Sequence, residues 1–386
     1  MPKTKLFLHI GHGKTGTSAI QSALAMAAED LLGQQILYPI EPIEREKAAR
    51  LEITSGNWKQ HPEQQLSEQL VELVLTHKTH NCIVLSSESL FWHVTSLLDG
   101  TENWRDHLDI QVILAVRDLE EMLSSEYQQR VKRHGEQRPF EQFLRNRHFV
   151  SSHHKKAAEV LTELDAADIP TTVINYSKNK RTIAELIFRA IGAEQLFPRV
   201  AMEGKVINRS LSQKELQTLT VVNALYHTKF PWISARLSDA LAKQLPNVLS
   251  QKCRLSKNSR DKLYSLNREH LDVINQHLSP EEALTTRPQQ PIEEDPAMIR
   301  ERNQRIREEE QQSLELISST LMVAIQQDQL SKRLSNGTVD ALIRLSHSPE
   351  LSQESRVELL EIAKLNRPQG QRLSKLLDQA RLRSES

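Results

Sequence analysis

The sequence predicts an α/β fold, a three-layer α/β/α core around a parallel sheet, followed by an all-helical C-terminal region. Three observations lead there. Five short apolar runs lie in the first 175 residues, separated by segments of helical periodicity, the pattern of strands buried on both faces. A glycine-rich stretch, Gly11-His12-Gly13-Lys14-Thr15-Gly16, separates the first run from the first helix. Beyond Leu211 the chain reads as helix alone.

Taken in order, Leu6 to Ile10 is the first strand, and Ser18 to Ala28 (SAIQSALAMAA) combines good helix formers with one apolar face. Ile36 to Pro39 suggests a second strand, Leu66 to Leu75 a helix, and Cys82 to Leu85 and Gln111 to Val116 two buried strands. Leu119 to Val131, Phe140 to Arg145 and Lys155 to Leu164 read as helices, and Thr171 to Asn175 as the fifth strand. Ile183 to Ile191 is a helix ended by Gly192. Thr285 to Pro296 holds three prolines without periodicity and reads as a linker. The assignment is a core over 1–210, helices completing it over 211–284, the linker, and a helical appendage over 297–386. The appendage includes a broad apolar face over Val357 to Leu365 and is expected to pack on the core or, in a homo-oligomer, on a second copy.

Lys+Arg and Asp+Glu both number 50, so nothing global points to nucleic acid, and anion binding must come from local groups. Apolar residues make up 38% and mean hydropathy is −0.51, polar for a globular chain, so part of it adds little to a core. Cys82 and Cys253 build neither a disulfide framework nor a metal motif. The first apolar run is too brief for a signal-peptide core and no later segment is apolar enough to span a bilayer, so a soluble cytoplasmic protein is expected.

The glycine loop sits where a strand passes into a helix. Helix N-terminal N–H groups favour an anion there, and glycines let the backbone approach it. Lys14 adds a positive charge, and Thr15, Thr17 and Ser18 add hydroxyl donors. Two familiar fingerprints fit only in part. The dinucleotide motif needs an acidic residue about 20 positions on, after the second strand; Asp30 precedes that strand and Glu41 lies rather far along. The triphosphate loop needs glycine five positions before Gly13, where Leu8 stands. A shorter, hydroxyl-rich loop suits a smaller anion, such as one phosphate carrying a sulfate.

His9 to Ser18 (HIGHGKTGTS) resembles the 5′-phosphosulfate loop of sulfotransferases that use 3′-phosphoadenosine 5′-phosphosulfate (PAPS). A second segment, Val112 to Tyr127 (VILAVRDLEEMLSSEY), is similar to the family's strand–Arg–helix–Ser arrangement, with Arg117 and Ser125 eight residues apart. Gln128 to Phe143, Ser86-Ser87-Glu88 and Asn208 to Ser212 are similar to its bacterial carbohydrate-type branch. The resemblance covers roughly residues 5–280. It implies a P-loop-like core with PAPS as co-substrate and no metal, and a carbohydrate or glycolipid hydroxyl, or an amine, as acceptor. Gly13, Lys14, Thr15, Gly16, Thr17 and Ser18 would hold the 5′-phosphate, and Arg117 and Ser125 the 3′-phosphate. Lys14 would stabilise the leaving oxygen. The family uses a Glu or a His as base. Glu88, directly after a strand, is the first choice, and His61, in the stretch SGNWKQH, the second.

Each residue also has a plainer explanation. Arg117 could pair with Asp118 or Glu121, Ser125 could be a surface serine with Ser124 as its competitor, Glu88 could serve a helix dipole, and His61 could be a loop histidine. Lys132, Arg133, His134 and Arg138 read as a solvated basic face or a contact for phosphate or an acidic glycan. His153-His154-Lys155-Lys156 reads as a charged helix start. The rivals are a nucleotide-dependent small-molecule kinase, for which Asp118 would hold magnesium, and an inactive scaffold that works through its C-terminal helices.

Overall fold

A computed structural model describes residues 3–50, 56–59, 61, 63–98, 102–199, 210–248, 253, 255–288, 296–331, 334–349, 351–368 and 370–384. Five strands, β1 (Thr4–His9), β2 (Ile36–Leu37), β3 (Cys82–Ser86), β4 (Leu108–Val116) and β5 (Thr171–Asn175), form one sheet in the order β2-β3-β1-β4-β5. Every pairing is parallel. The second strand is shorter than its sequence suggested, because pairing with β3 stops at Leu37. The fourth begins earlier, at Leu108, where it pairs with Thr4 of β1.

Side chains alternate across a strand, so one strand feeds two cores. Leu6, Leu8, Ile83, Leu85, Val112 and Leu114 enter one cluster and Phe7, Val84, Ile113 and Ala115 the other. The second cluster is closed by α1 (Thr17–Met26) and α9 (Ile183–Ala190) through Ile20, Leu24, Ile187 and Phe188. The helix expected over Ser18 to Ala28 is interrupted at Ala27, and α2 (Ala28–Gly33) continues as a separate piece. The first cluster is covered by α4 (Leu66–Thr76), α5 (Glu88–His93), α6 (Leu119–His134), α7 (Phe140–Arg145) and α8 (Ser152–Ala166). A short α3 (Pro42–Ala49) lies against α1.

Described residues after 210 are helical or in turns. They form α10 (Gln213–Tyr226), α11 (Ile233–Gln244), α12 (Lys257–Asn275), α13 (Pro296–Ser331), α14 (Asn336–Leu345), α15 (Gln353–Asn366) and α16 (Gln371–Ser384). Buried Asn267 of α12 accepts from the Ser151 N–H at 2.8 Å and donates to the Phe149 carbonyl at 2.7 Å, fixing the start of α8. A capping box, Ser212 with Glu215, starts α10, and Glu215 also accepts from Ser313 of α13 at 2.8 Å. The stretch expected as an appendage therefore divides. Ile317 and Ala324 of α13 belong to the main core, while Val339, Leu360, Ala363, Leu373 and Leu377 make a small core of their own. The linker's first residue is tied down as well, since the Thr285 N–H donates to Asp118 Oδ1 at 3.2 Å. No described helix is long and apolar enough to cross a membrane.

Candidate functional site

In this strand order the chain leaves β1 toward the β3 side and leaves β4 toward β5, so the order reverses between them, the point where open parallel sheets take ligands at their carboxyl ends. The glycine loop and Arg117 both lie there. The loop is tightly wound, with Gly13 at φ 53°, Lys14 at φ 63° and Gly16 at φ 82°. A lysine in the left-handed region is uncommon and costs on the order of 1 kcal/mol or more, which neighbouring contacts must offset. One contact is direct: Arg117 Nη1 donates to the Lys14 carbonyl at 2.9 Å. At Gly16 a Cβ would stand 2.8 Å from the Tyr176 ring and 3.1 Å from Ile183. Gly16→Ala should therefore destabilise the fold by about 1–3 kcal/mol, from left-handed strain plus this clash. Urea unfolding checks it, and an unchanged midpoint would show that the loop relaxes freely.

Gly16 also stands at the N-cap of α1, where no side chain caps the helix, so its first N–H groups face the loop. Thr15 is fully buried and its Oγ1 has no hydrogen-bond partner among the described residues. Ser18 is half-buried, and its hydroxyl makes no hydrogen bond among the described residues. The Thr17 hydroxyl donates to Glu88 Oε1 at 2.5 Å. Glu88 begins α5, is exposed, and hangs over Gly13, whose Cβ position would be 3.4 Å from Oε2.

Lys14 donates to Gln129 Oε1 at 2.8 Å. Burial pushes its ammonium below the usual lysine range; Glu88 opposes this, and Arg117 and Arg133 add to it. An incoming anion would relieve that desolvated charge. Arg117 is largely buried, lies over the Tyr176 ring at 5.3 Å, and pairs with Glu121 through Nε at 3.4 Å. Glu121 also meets Lys180 at 2.7 Å and accepts from Ser177 at 3.0 Å. The expected Arg117–Glu121 pair is thus present, and it leaves Nη2 of the guanidinium without a hydrogen bond among the described residues. Ser125 is half-buried and makes no hydrogen bond there either, whereas Ser124 is taken by the Cys253 N–H at 3.1 Å. Between the two serines, structural work has fallen to Ser124.

His61 sits elsewhere. The Ser87 hydroxyl bonds the Trp58 carbonyl, and Gln69 brackets the His61 main chain from both sides. The exposed side chain lines a groove of about 670 Å³ along α4 with Trp58 and His77. Among the described residues no hydrogen bond or ion pair joins it to the glycine loop. The two arginines of the basic face at the end of α6 are paired: Arg133 forms a fork with Asp239, and Arg138 one with Glu136. Asn208 and Arg209 lie outside the described residues. Asp118 is half-buried, and its carboxylate accepts the Thr285 N–H.

Several residues reach the site without a reading from sequence. Gln129 lies one turn beyond Ser125, a spacing that puts both on one face of α6. Glu126 and His153 face each other, and His12 of the loop is buried against Phe91, His153 and His154. His154 Nε2 donates to the Arg117 carbonyl at 2.8 Å and its Nδ1 meets Ser151 Oγ at 2.8 Å, which fixes the tautomer. The expected charged helix start is correct for Lys155, but His154 points inward and braces Arg117.

Burial pushes His9 and His154 down to about 4 from 6.5, and holds His12 well below its ordinary value. The unfolded chain protonates these groups from about pH 6.5 downward and the folded chain does not, so stability rises with pH in this window. Acidification from pH 6.5 toward 4 should remove on the order of 1–3 kcal/mol for each of His9 and His154. Urea midpoints at pH 7.5 and 4.5 check this, and equal midpoints would contradict it.

Comparison with protein families, curated proteins and solved structures finds no match for this chain.

Proposed function

We propose that the protein is a sulfotransferase with a P-loop-like core, moving the sulfuryl group of PAPS to a hydroxyl of a carbohydrate or glycolipid. The observation that carries this is the bond from Arg117 to the Lys14 carbonyl, which joins two segments read separately in the sequence at one crevice. A loop suited to a 5′-phosphate and an arginine suited to a 3′-phosphate then face one nucleotide. The unpartnered Thr15 hydroxyl, the uncapped N-terminus of α1 and the desolvated Lys14 all favour an anion over that loop.

In the transfer, the acceptor oxygen attacks sulfur in line while the bond from sulfur to the 5′-phosphate oxygen breaks. Charge grows on that oxygen, and Lys14 with the α1 N–H groups stabilises it. Thr17 can leave Glu88 for the phosphate, which would free a carboxylate oxygen at the mouth of the crevice. Trp92 of α5 supports a sugar as acceptor: the residue is 47% exposed and its ring stands near the site, at 5.6 Å from the His153 ring. A large flat apolar ring suits the C–H face of a sugar.

The kinase reading needs Asp118 free for a metal, and its Oδ1 is engaged by Thr285. Incubation with PAPS and a panel of glycans and glycolipids tests the proposal, read by mass spectrometry. A sulfated product and equimolar adenosine 3′,5′-bisphosphate are expected. Bisphosphate-tight binding without product from any acceptor would favour an inactive scaffold.

A further inference from the structure

Beside the glycine loop, His153 of α8 packs between His12, Phe91 and Trp92, with ring centroids 5.6, 6.4 and 5.6 Å away. Its Nδ1 is buried without a hydrogen-bond partner. Glu126 Oε2, also buried and unpartnered, lies 3.8 Å from that nitrogen. The other carboxylate oxygen accepts from Arg147 Nη1 at 2.5 Å, which fixes the Glu126 carboxylate and leaves Oε2 aimed at the imidazole. Two orphaned polar atoms facing each other are costly unless one carries a proton toward the other. At 3.8 Å the two are beyond hydrogen-bond distance, but a proton on Nδ1 is the arrangement that turns a positive N–H edge toward the carboxylate, and it leaves the lone pair on Nε2.

We infer that His153, oriented by Glu126, receives the acceptor's proton in the proposed transfer. The inference rests on the sulfotransferase reading and replaces Glu88 as the base. The acceptor oxygen forms its bond to sulfur, the bond from sulfur to the 5′-phosphate oxygen breaks, and its electron pair stays on that oxygen beside Lys14. The acceptor's proton passes to Nε2, giving an imidazolium opposite the Glu126 carboxylate, which itself stays unprotonated. Glu126 is a positioning residue. The groups acting on the ring are Glu126, Glu88, Lys14, Arg147, His12 and His154. Burial outweighs the carboxylates and keeps the imidazole neutral near pH 7, the form a base requires. Glu88 is less suited, because its carboxylate overhangs the loop where phosphate charge would repel it.

Long-range proton–nitrogen spectra of histidine-labelled protein at pH 7.5 test the geometry without an acceptor, using His153→Asn for assignment. A neutral ring with its proton on Nδ1 is expected, and Glu126→Gln should abolish that preference. A ring protonated on Nε2 alone, or charged at pH 7.5, overturns the inference. With PAPS and a glycan acceptor, His153→Asn should lower turnover by about 10²–10⁴-fold, Glu126→Gln should lower it less and move the acid limb of the pH profile, and Glu88→Gln should leave that limb in place. Wild-type turnover in His153→Asn, or a limb that moves only in Glu88→Gln, overturns it. Calorimetry with adenosine 3′,5′-bisphosphate separates the two levels. Binding by wild type and His153→Asn within about threefold of each other keeps the donor reading whatever happens to the base. No binding by the wild type sinks the donor reading, and the inference with it.

Discussion

Lys14→Ala is expected to lower sulfuryl transfer by about 10²–10³-fold, the usual loss when one donor to a developing oxyanion is removed. The fold should survive, because among the described residues the side chain's one hydrogen bond is to Gln129. The substitution also removes a lysine from a left-handed position, where alanine carries the same backbone strain, so melting should change little. Lys14→Arg should recover only part of the rate, since a planar guanidinium does not present the compact charge of an ammonium. The check is the rate with PAPS and an acceptor beside a thermal melt. A wild-type rate in Lys14→Ala would remove Lys14 from the chemistry.

Arg117→Ala is expected to weaken adenosine 3′,5′-bisphosphate by about 10²-fold, the worth of one or two charge-assisted hydrogen bonds. Adenosine 5′-phosphate should be weakened much less, because it lacks the group that Arg117 reads. The comparison matters because Arg117 has a second job, its bond to the Lys14 carbonyl. Equal losses for both nucleotides would mean that Arg117 only shapes the loop. The substitution also leaves Glu121 with Lys180 and Ser177, so the buried carboxylate keeps partners and the fold should tolerate the change.

The strands and the glycine loop were legible because they depend on short-range pattern: apolar runs of strand length and a lysine among glycines. Their assembly followed from one rule, that parallel strands place their carboxyl ends on one edge, so Arg117 after β4 had to approach the loop after β1. What could not be read depends on where helices cross. His153 lies beside Glu126 because α12 holds the start of α8 through Asn267, a contact spanning more than a hundred residues. His61 was the second choice for the base, from its loop-like stretch and the family resemblance, yet Asn57 and Ser87 pin that loop to β3 and His61 lines the groove along α4. How the C-terminal helices distribute between the main core and a core of their own was not legible for a similar reason. An appendage packing on the core or on a second copy was expected; Ser313, Ile317 and Ala324 of α13 are buried against the main body, a contact that no local pattern specifies.

The central claim is that this crevice holds a nucleotide phosphorylated at both its 5′ and 3′ positions. Calorimetric titration with adenosine 3′,5′-bisphosphate, ATP–Mg and NAD tests it most directly. The account predicts a Kd in the micromolar range for the bisphosphate, lost in Lys14→Ala and Arg117→Ala, with no comparable binding of the other two. Tight ATP–Mg or NAD binding, with none for the bisphosphate, would contradict it.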